Sequence, residues 1–185
     1  MDQESAAATA EAAFGFMGEE GGFPGAGSWR AACTLSVRRV TSLAAAIAAS
    51  SSPSPSTGDG AATTAGIAQA KEAKKPFCLV VNISDPHKPF WKGPNDPHKP
   101  SRIYTADEVP IPGFLFDDPQ VREELALYYT SVRRADDAVG AVLKALETSG
   151  EADNTVVMFM SDHGMPLPFA KTQLYHHSTR TPWMV

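Results

Sequence analysis

Two apolar runs of strand length, separated by one long amphipathic pattern, constrain this chain more than any other feature. Phe77–Ile83 (FCLVVNI) is nearly continuous in apolar and β-branched residues, as expected of a strand buried on both faces. Residues 154–161 (NTVVMFMS) repeat that character. Between them Val121, Leu125, Tyr128, Val132, Ala135, Val139, Val142 and Leu146 alternate steps of four and three. That spacing draws one apolar stripe down a helix. Asp117 or Asp118 supplies the N-cap, Pro119 suits the first turn, and Gly150 suits the stop. Gly140 lies inside the helix at a cost of about 1 kcal/mol relative to Ala. A close helix–strand contact would account for it. Strand, crossover helix and strand form a βαβ unit, so the expected class is α/β: a mostly parallel sheet with flanking helices. Residues 181–185 (TPWMV) read as the opening of a third strand.

Composition shifts near Lys75. Residues 1–75 are rich in Ala, Gly, Ser and Thr and poor in large apolar side chains. They are expected to be largely disordered or weakly helical, with 76–185 folded. Residues 50–66 (SSSPSPSTGDGAATTAG) read as a flexible linker, because they bury too little to offset their ordering entropy. Residues 40–49 and 67–74 read as short helices that need docking. The first residues lack the basic and apolar regions of a secretory signal. RRVTSLAAAIAASSSP has a loose signal-like order but reads better as an Ala-rich helix. A net charge of −5 leaves no basic footprint for nucleic acid, and no apolar run is long enough to span a bilayer. Cys33 and Cys78 are too few for a disulfide framework, and Cys78 reads as a small buried hydrophobe.

In open α/β sheets, ligands bind beyond the carboxyl ends of the strands. Both polar clusters sit there. SDPHKPF (84–90) follows the first strand, and SDHG (161–164) follows the second. Asp162 offers a carboxylate for a hard cation, and His163 an imidazole that also suits softer metals. Gly164 allows a tight turn away from the strand. An Asp turn with a surface histidine explains SDHG equally well. Pro166 and Pro168 stiffen the path to Lys171, and Phe169 is expected to anchor it. Lys171 is then an ordinary solvated cation, a point charge returned toward Asp162, or a catalytic acid if its pKa is lowered. His87 has the ring chemistry of a general acid or base, and the alternative is a turn with a hydrogen-bonded histidine. DPHKP recurs at Asp96–Pro100 away from a strand, so His98 reads as loop. His176 and His177 also read as loop, near the rim of a site at closest. The Pro-rich stretch 84–116 is too long to be idle in a compact domain.

Together KPFCLVVNISDPHKPF, RRADDAVGAVLKALETSGEADNT, VVMFMSDHGMPLPFAKTQLY and TRTPWMV resemble a type I sulfatase. These enzymes belong to the alkaline-phosphatase-like superfamily, and the resemblance is closest to the branch containing heparan N-sulfatase. It covers about residues 75–185 in unbroken order. It implies a calcium ion (Ca²⁺) held by Asp162 and His163. It implies that His87 contacts the sulfate and helps protonate the leaving group, and that Lys171 binds the sulfate. The implied partner is a sulfated small molecule or glycan, and relatives of this kind are usually exported or lysosomal. Cation and cationic donors together would stabilise charge on a sulfuryl group in transfer.

The family's nucleophile is a cysteine oxidised to formylglycine within C-x-P-S-R or C-x-A-S-R, with a pair of aspartates upstream. Neither pattern stands in this sequence. AACTLSVRR places Leu35 where Pro or Ala is required, and Val37 intrudes before Arg38. YHHSTRTP departs from the family's acidic-residue, His, Gly pattern, with Ser178 in place of Gly. The expectation is therefore the middle of a sulfatase catalytic domain behind a divergent N-terminal segment, poorly stable alone. Two other readings stand beside it. One is a metal-dependent phosphohydrolase of the same superfamily, with a Ser or Thr nucleophile. The other is an inactive sulfatase-derived fragment that binds an anion, a metal or a partner.

Overall fold

A computed structural model describes residues 33–39, 45–49 and 57–185 except 92, 94 and 97. In chain order the elements are β1 (Cys33–Arg39), β2 (Ala45–Ala49), α1 (Thr57–Glu72), β3 (Phe77–Ile83), α2 (Pro119–Thr148), β4 (Thr155–Ser161), a short α3 (His176–Thr179) and β5 (Trp183–Met184). A 3-10 turn over Ala152–Asn154 leads into β4. Among the described residues no helix is long and apolar enough to cross a membrane.

The strands form one five-stranded sheet in the order β2-β3-β1-β4-β5. The βαβ unit is present, but its two strands are not neighbours. β1 lies between β3 and β4 and runs antiparallel to both. β4 and β5 are also antiparallel, and only β2 and β3 pair in parallel. This corrects the expectation of a mostly parallel sheet. The cause is an extra strand from a region read as lacking any. In CTLSVRR, Leu35 and Val37 alternate with Thr34, Ser36 and Arg38, the period of a strand. Inserted there, its backbone satisfies the hydrogen-bonding groups of both neighbours.

Three further expectations change. Ala45–Ala49 is a strand beside β3 and not part of a helix. Ten residues are too few to stabilise an isolated helix, whereas the edge of β3 offers backbone partners to alternate residues of this segment. α1 begins at Thr57, well inside the stretch read as a linker. β3 buries one face rather than two: Phe77, Leu79, Val81 and Ile83 are buried, Cys78 and Val80 half-buried, and Asn82 exposed.

Both long helices cover that buried face. Ile67 and Ala70 of α1, and Ala135, Ala138, Val142 and Leu146 of α2, pack on β3 and on Phe159 of β4. The Asp118 side chain accepts from Gln120 N at 2.8 Å and caps α2, with Pro119 at the first helical position. Gly150 ends α2 at φ +75°, a left-handed conformation that suits glycine. Gly140 has open space where a Cβ would stand, so no close contact explains it. The tight approach lies instead at Gly60 of α1, whose added Cβ would stand 3.2 Å from the Ala141 Cβ.

A second core forms between the N-terminal half of α2 and the loops. Leu125, Ala126, Tyr128 and Val132 pack with Phe90, Val109, Met165, Leu167 and Ala170. The long 84–116 loop is stitched to α2 by polar side chains. Ser131 Oγ accepts from Trp91 N at 2.8 Å, and Thr130 Oγ1 accepts from Tyr104 N at 3.0 Å. Asp137 accepts from both the N–H and the hydroxyl of Ser101, each at 2.7 Å.

Candidate functional site

Strand register brings the two polar clusters to one end of the sheet. Cys33 pairs with Ile83 on one side and with Ser161 on the other. β3 and β4 therefore run in the same direction and finish level. Two strand spacings separate them, roughly 10 Å. Ser84–His87 and Asp162–Gly164 leave the sheet at that level, with the start of β1 between them.

Ser161 Oγ donates to the His163 carbonyl at 3.0 Å, and His163 N donates to Asp162 Oδ1 at 2.9 Å. These bonds fold the chain into a tight turn. Gly164 is required here for space. An added Cβ would stand 1.9 Å from the His177 carbonyl oxygen and 2.6 Å from that of Ala170. Gly164 N also donates to the Ser178 carbonyl at 3.3 Å, so the chain from 170 to 178 closes over the turn.

The His163 ring has a defined orientation. Its Nδ1 lies 2.8 Å from the Gly164 carbonyl, which can only accept, so Nδ1 carries the proton. In the neutral ring Nε2 then presents a lone pair. That atom is buried without a hydrogen-bond partner and lies 3.6 Å from Asp162 Oδ2. A lone-pair nitrogen beside a carboxylate is a donor pair that a cation would satisfy. Among the described residues, no group of three or more His, Cys, Asp or Glu side chains comes together. The pair fits one corner of a coordination sphere.

Lys171 returns toward this corner. Its anchors are Met165, Leu167 and Ala170, all buried in the second core. Phe169, the expected anchor, is only half-buried. Phe169 and Thr172 have φ of +67° and +63°, a strained pair that brackets Ala170 and Lys171. Burial pushes the Lys171 ammonium below the ordinary lysine value; the Asp162 carboxylate opposes this and the Lys88 ammonium adds to it. Both charges are thus close enough to act on it. Lys88 is a site neighbour that sequence reasoning missed, although it directly follows His87. It pairs with Glu124 and lies over the Phe90 ring, 5.2 Å from its centroid.

The half-buried His87 stands on a turn in which its N–H donates to the Ser84 carbonyl at 2.9 Å. Its Nδ1 donates to the Lys88 carbonyl at 2.5 Å, which leaves Nε2 as the atom able to exchange a proton. Asp85, at the start of the turn, is buried. Burial raises its carboxyl above the usual range, while hydrogen bonds and charge from Arg134 pull it down. His177 packs its ring on Phe114 at 4.3 Å between centroids, and His176 faces Arg180 at 3.3 Å. Ser178 lies within α3, where its hydroxyl accepts from Gln173 N at 3.2 Å.

A family model described as Sulfatase matches residues 36–185. The chain is 34% identical over 128 residues to N-sulphoglucosamine sulphohydrolase from Homo sapiens, covering 60% of this chain and 26% of that protein. It is 34% identical over 126 residues to an ulvan-active sulfatase from Formosa agariphila, covering 62% and 24%. It is 32% identical over 126 residues to an endo-4-O-sulfatase from Bacteroides thetaiotaomicron, again covering 62% and 24%. The chain thus spans about a quarter of the length of these curated relatives. No solved structure matches it significantly.

Proposed function

Because this chain belongs to the sulfatase family, we propose that it carries the sulfate-binding and cation-binding part of a sulfuric ester or N-sulfate hydrolase of alkaline-phosphatase-like fold. The observation that carries the reading is the meeting of a carboxylate–imidazole corner and a returning lysine at one strand end. Asp162 and His163 would hold the cation, Ca²⁺ by family. When bound, that ion stabilises negative charge on the sulfuryl oxygens. Lys171 binds a sulfate oxygen as a point charge, and its partial burial strengthens that attraction. His87 Nε2 contacts the sulfate and delivers a proton to the leaving oxygen or nitrogen. Lys88 adds positive potential on the same side. The partner is a sulfated small molecule or glycan, in keeping with the names of the relatives.

The nucleophile is the part that these residues do not supply. Register places the Cys33 backbone at the site end of the sheet. Its neighbours Leu35 and Val37 depart from the pattern that marks a formylglycine cysteine in the family. A phosphohydrolase with a Ser or Thr nucleophile finds no support in the comparisons, which return sulfatases.

Binding of inorganic sulfate to the full chain, followed by calorimetry with and without Ca²⁺, tests this reading. We expect Lys171→Met to weaken sulfate binding at least tenfold at pH 7, a loss of about 1.4 kcal/mol. Asp162→Asn should abolish the enhancement by Ca²⁺. Equal sulfate affinity in wild type and Lys171→Met would overturn the assignment.

A further inference from the structure

We infer that Arg134 is a positioning residue that clamps both DPHKP loops and thereby presents the His87 imidazole. Its consequence for sulfate rests on the function proposed above. The clamp itself rests on geometry. Arg134 projects from α2 and is 6% exposed, while Asp85 is 2% exposed. Its Nε donates to Asp85 Oδ2 at 2.6 Å and its Nη2 donates to Asp85 Oδ1 at 2.9 Å. The third donor, Nη1, reaches Asp96 Oδ2 at 2.5 Å.

Asp85 and Asp96 are the same position in the two copies of DPHKP. The repeat therefore has a structural meaning: each copy contributes its aspartate to one guanidinium. The Asp96 carboxylate also accepts from His98 N at 3.0 Å, so the second loop is folded around the same group. Only arginine fits this arrangement. Its planar fork engages both oxygens of one carboxylate while a further N–H points to another.

The path from clamp to imidazole is short. Asp85 lies two residues before His87, and the His87 N–H closes the intervening turn onto the Ser84 carbonyl. The Asp85 carboxylate is therefore the handle by which the turn is held. The ring orientation then depends on the Nδ1 bond to the Lys88 carbonyl. Burial of the ion cluster makes it unforgiving: a rotated Asp85 would leave a charge without its partner.

Imidazole nitrogen-15 shifts of His87 in the full chain provide the test, because they report which ring nitrogen carries the proton. His163 is an internal reference in the same spectrum, since its Nδ1 makes the same kind of bond but is not clamped by Arg134. In Arg134→Lys we expect the His87 shifts to move toward those of a ring without a fixed tautomer, with His163 unchanged. Asp96→Asn replaces the charged acceptor of one bond of three by a neutral amide and should move His87 the same way by less. Wild-type His87 shifts in either folded variant, or equal movement of His87 and His163, would overturn the inference. Should Arg134→Lys fail to fold, Asp96→Asn decides by the same comparison. Sulfate affinity should fall about tenfold in Arg134→Lys. If the wild-type chain binds no sulfate, the functional reading fails, but the ring measurement still decides the clamp because it uses none.

Discussion

At the scale of residues, Lys171 is held between opposing influences. Burial and Lys88 lower its proton affinity, while Asp162 supports it. Asp162→Asn removes the supporting charge, so the Lys171 pKa should fall further, as an NMR titration would show. The sign for stability follows. With the folded pKa below the unfolded one, the unfolded chain binds more protons between the two values. Stability therefore rises with pH across that window, and Lys171→Met should flatten the rise in urea titrations at stepped pH. Much of this corner was legible in the sequence, because Asp162, His163 and Lys171 are chemically distinctive and follow an apolar run. Lys88 was overlooked because a lysine in a Pro-rich loop gives no sign of what faces it. Gly164 was singled out for a turn, yet it matters through the carbonyls of His177 and Ala170. That reason depends on a chain that returns from many residues away.

At the scale of elements, α2 is the part that sequence describes best. Its cap, stripe and stop all stand where local rules put them, because a helix is specified by near neighbours. The sheet was harder. Register and order depend on which distant backbone arrives beside β3, and β1 came from a stretch whose composition hid a period of two. Gly140 shows the same limit on a smaller scale, since open space surrounds the position where packing was expected. Gly140→Ala should therefore stabilise the chain by roughly 0.5–1 kcal/mol, because the methyl meets nothing and the unfolded state loses freedom. A higher urea midpoint with an unchanged slope is the expected result.

At the scale of the molecule, the described residues form two cores along one helix of about 45 Å. The C-terminal half of α2 packs on the sheet with Val142, and the N-terminal half packs on the site loops with Leu125. Removing apolar bulk from either costs stability, about 2–5 kcal/mol for a buried leucine cut to alanine. The location of the damage should differ. Leu125→Ala should speed amide exchange in the 84–116 loop and the 164–171 segment, and Val142→Ala should speed it in β3 and β4. Uniform acceleration in both variants would mean that the two cores open as one. Ser131 and Arg134 stand at the seam, between Val132 of one core and Ala135 of the other or beside it, and they bind the loops by polar contacts instead of by volume. That seam bears on how such a chain can change over generations. If the two cores open separately, bulk can be exchanged around the loops, and new contacts tried there, without disturbing the packing that keeps the sheet assembled. A scaffold divided in this way is free to explore ligands while its folding is inherited intact.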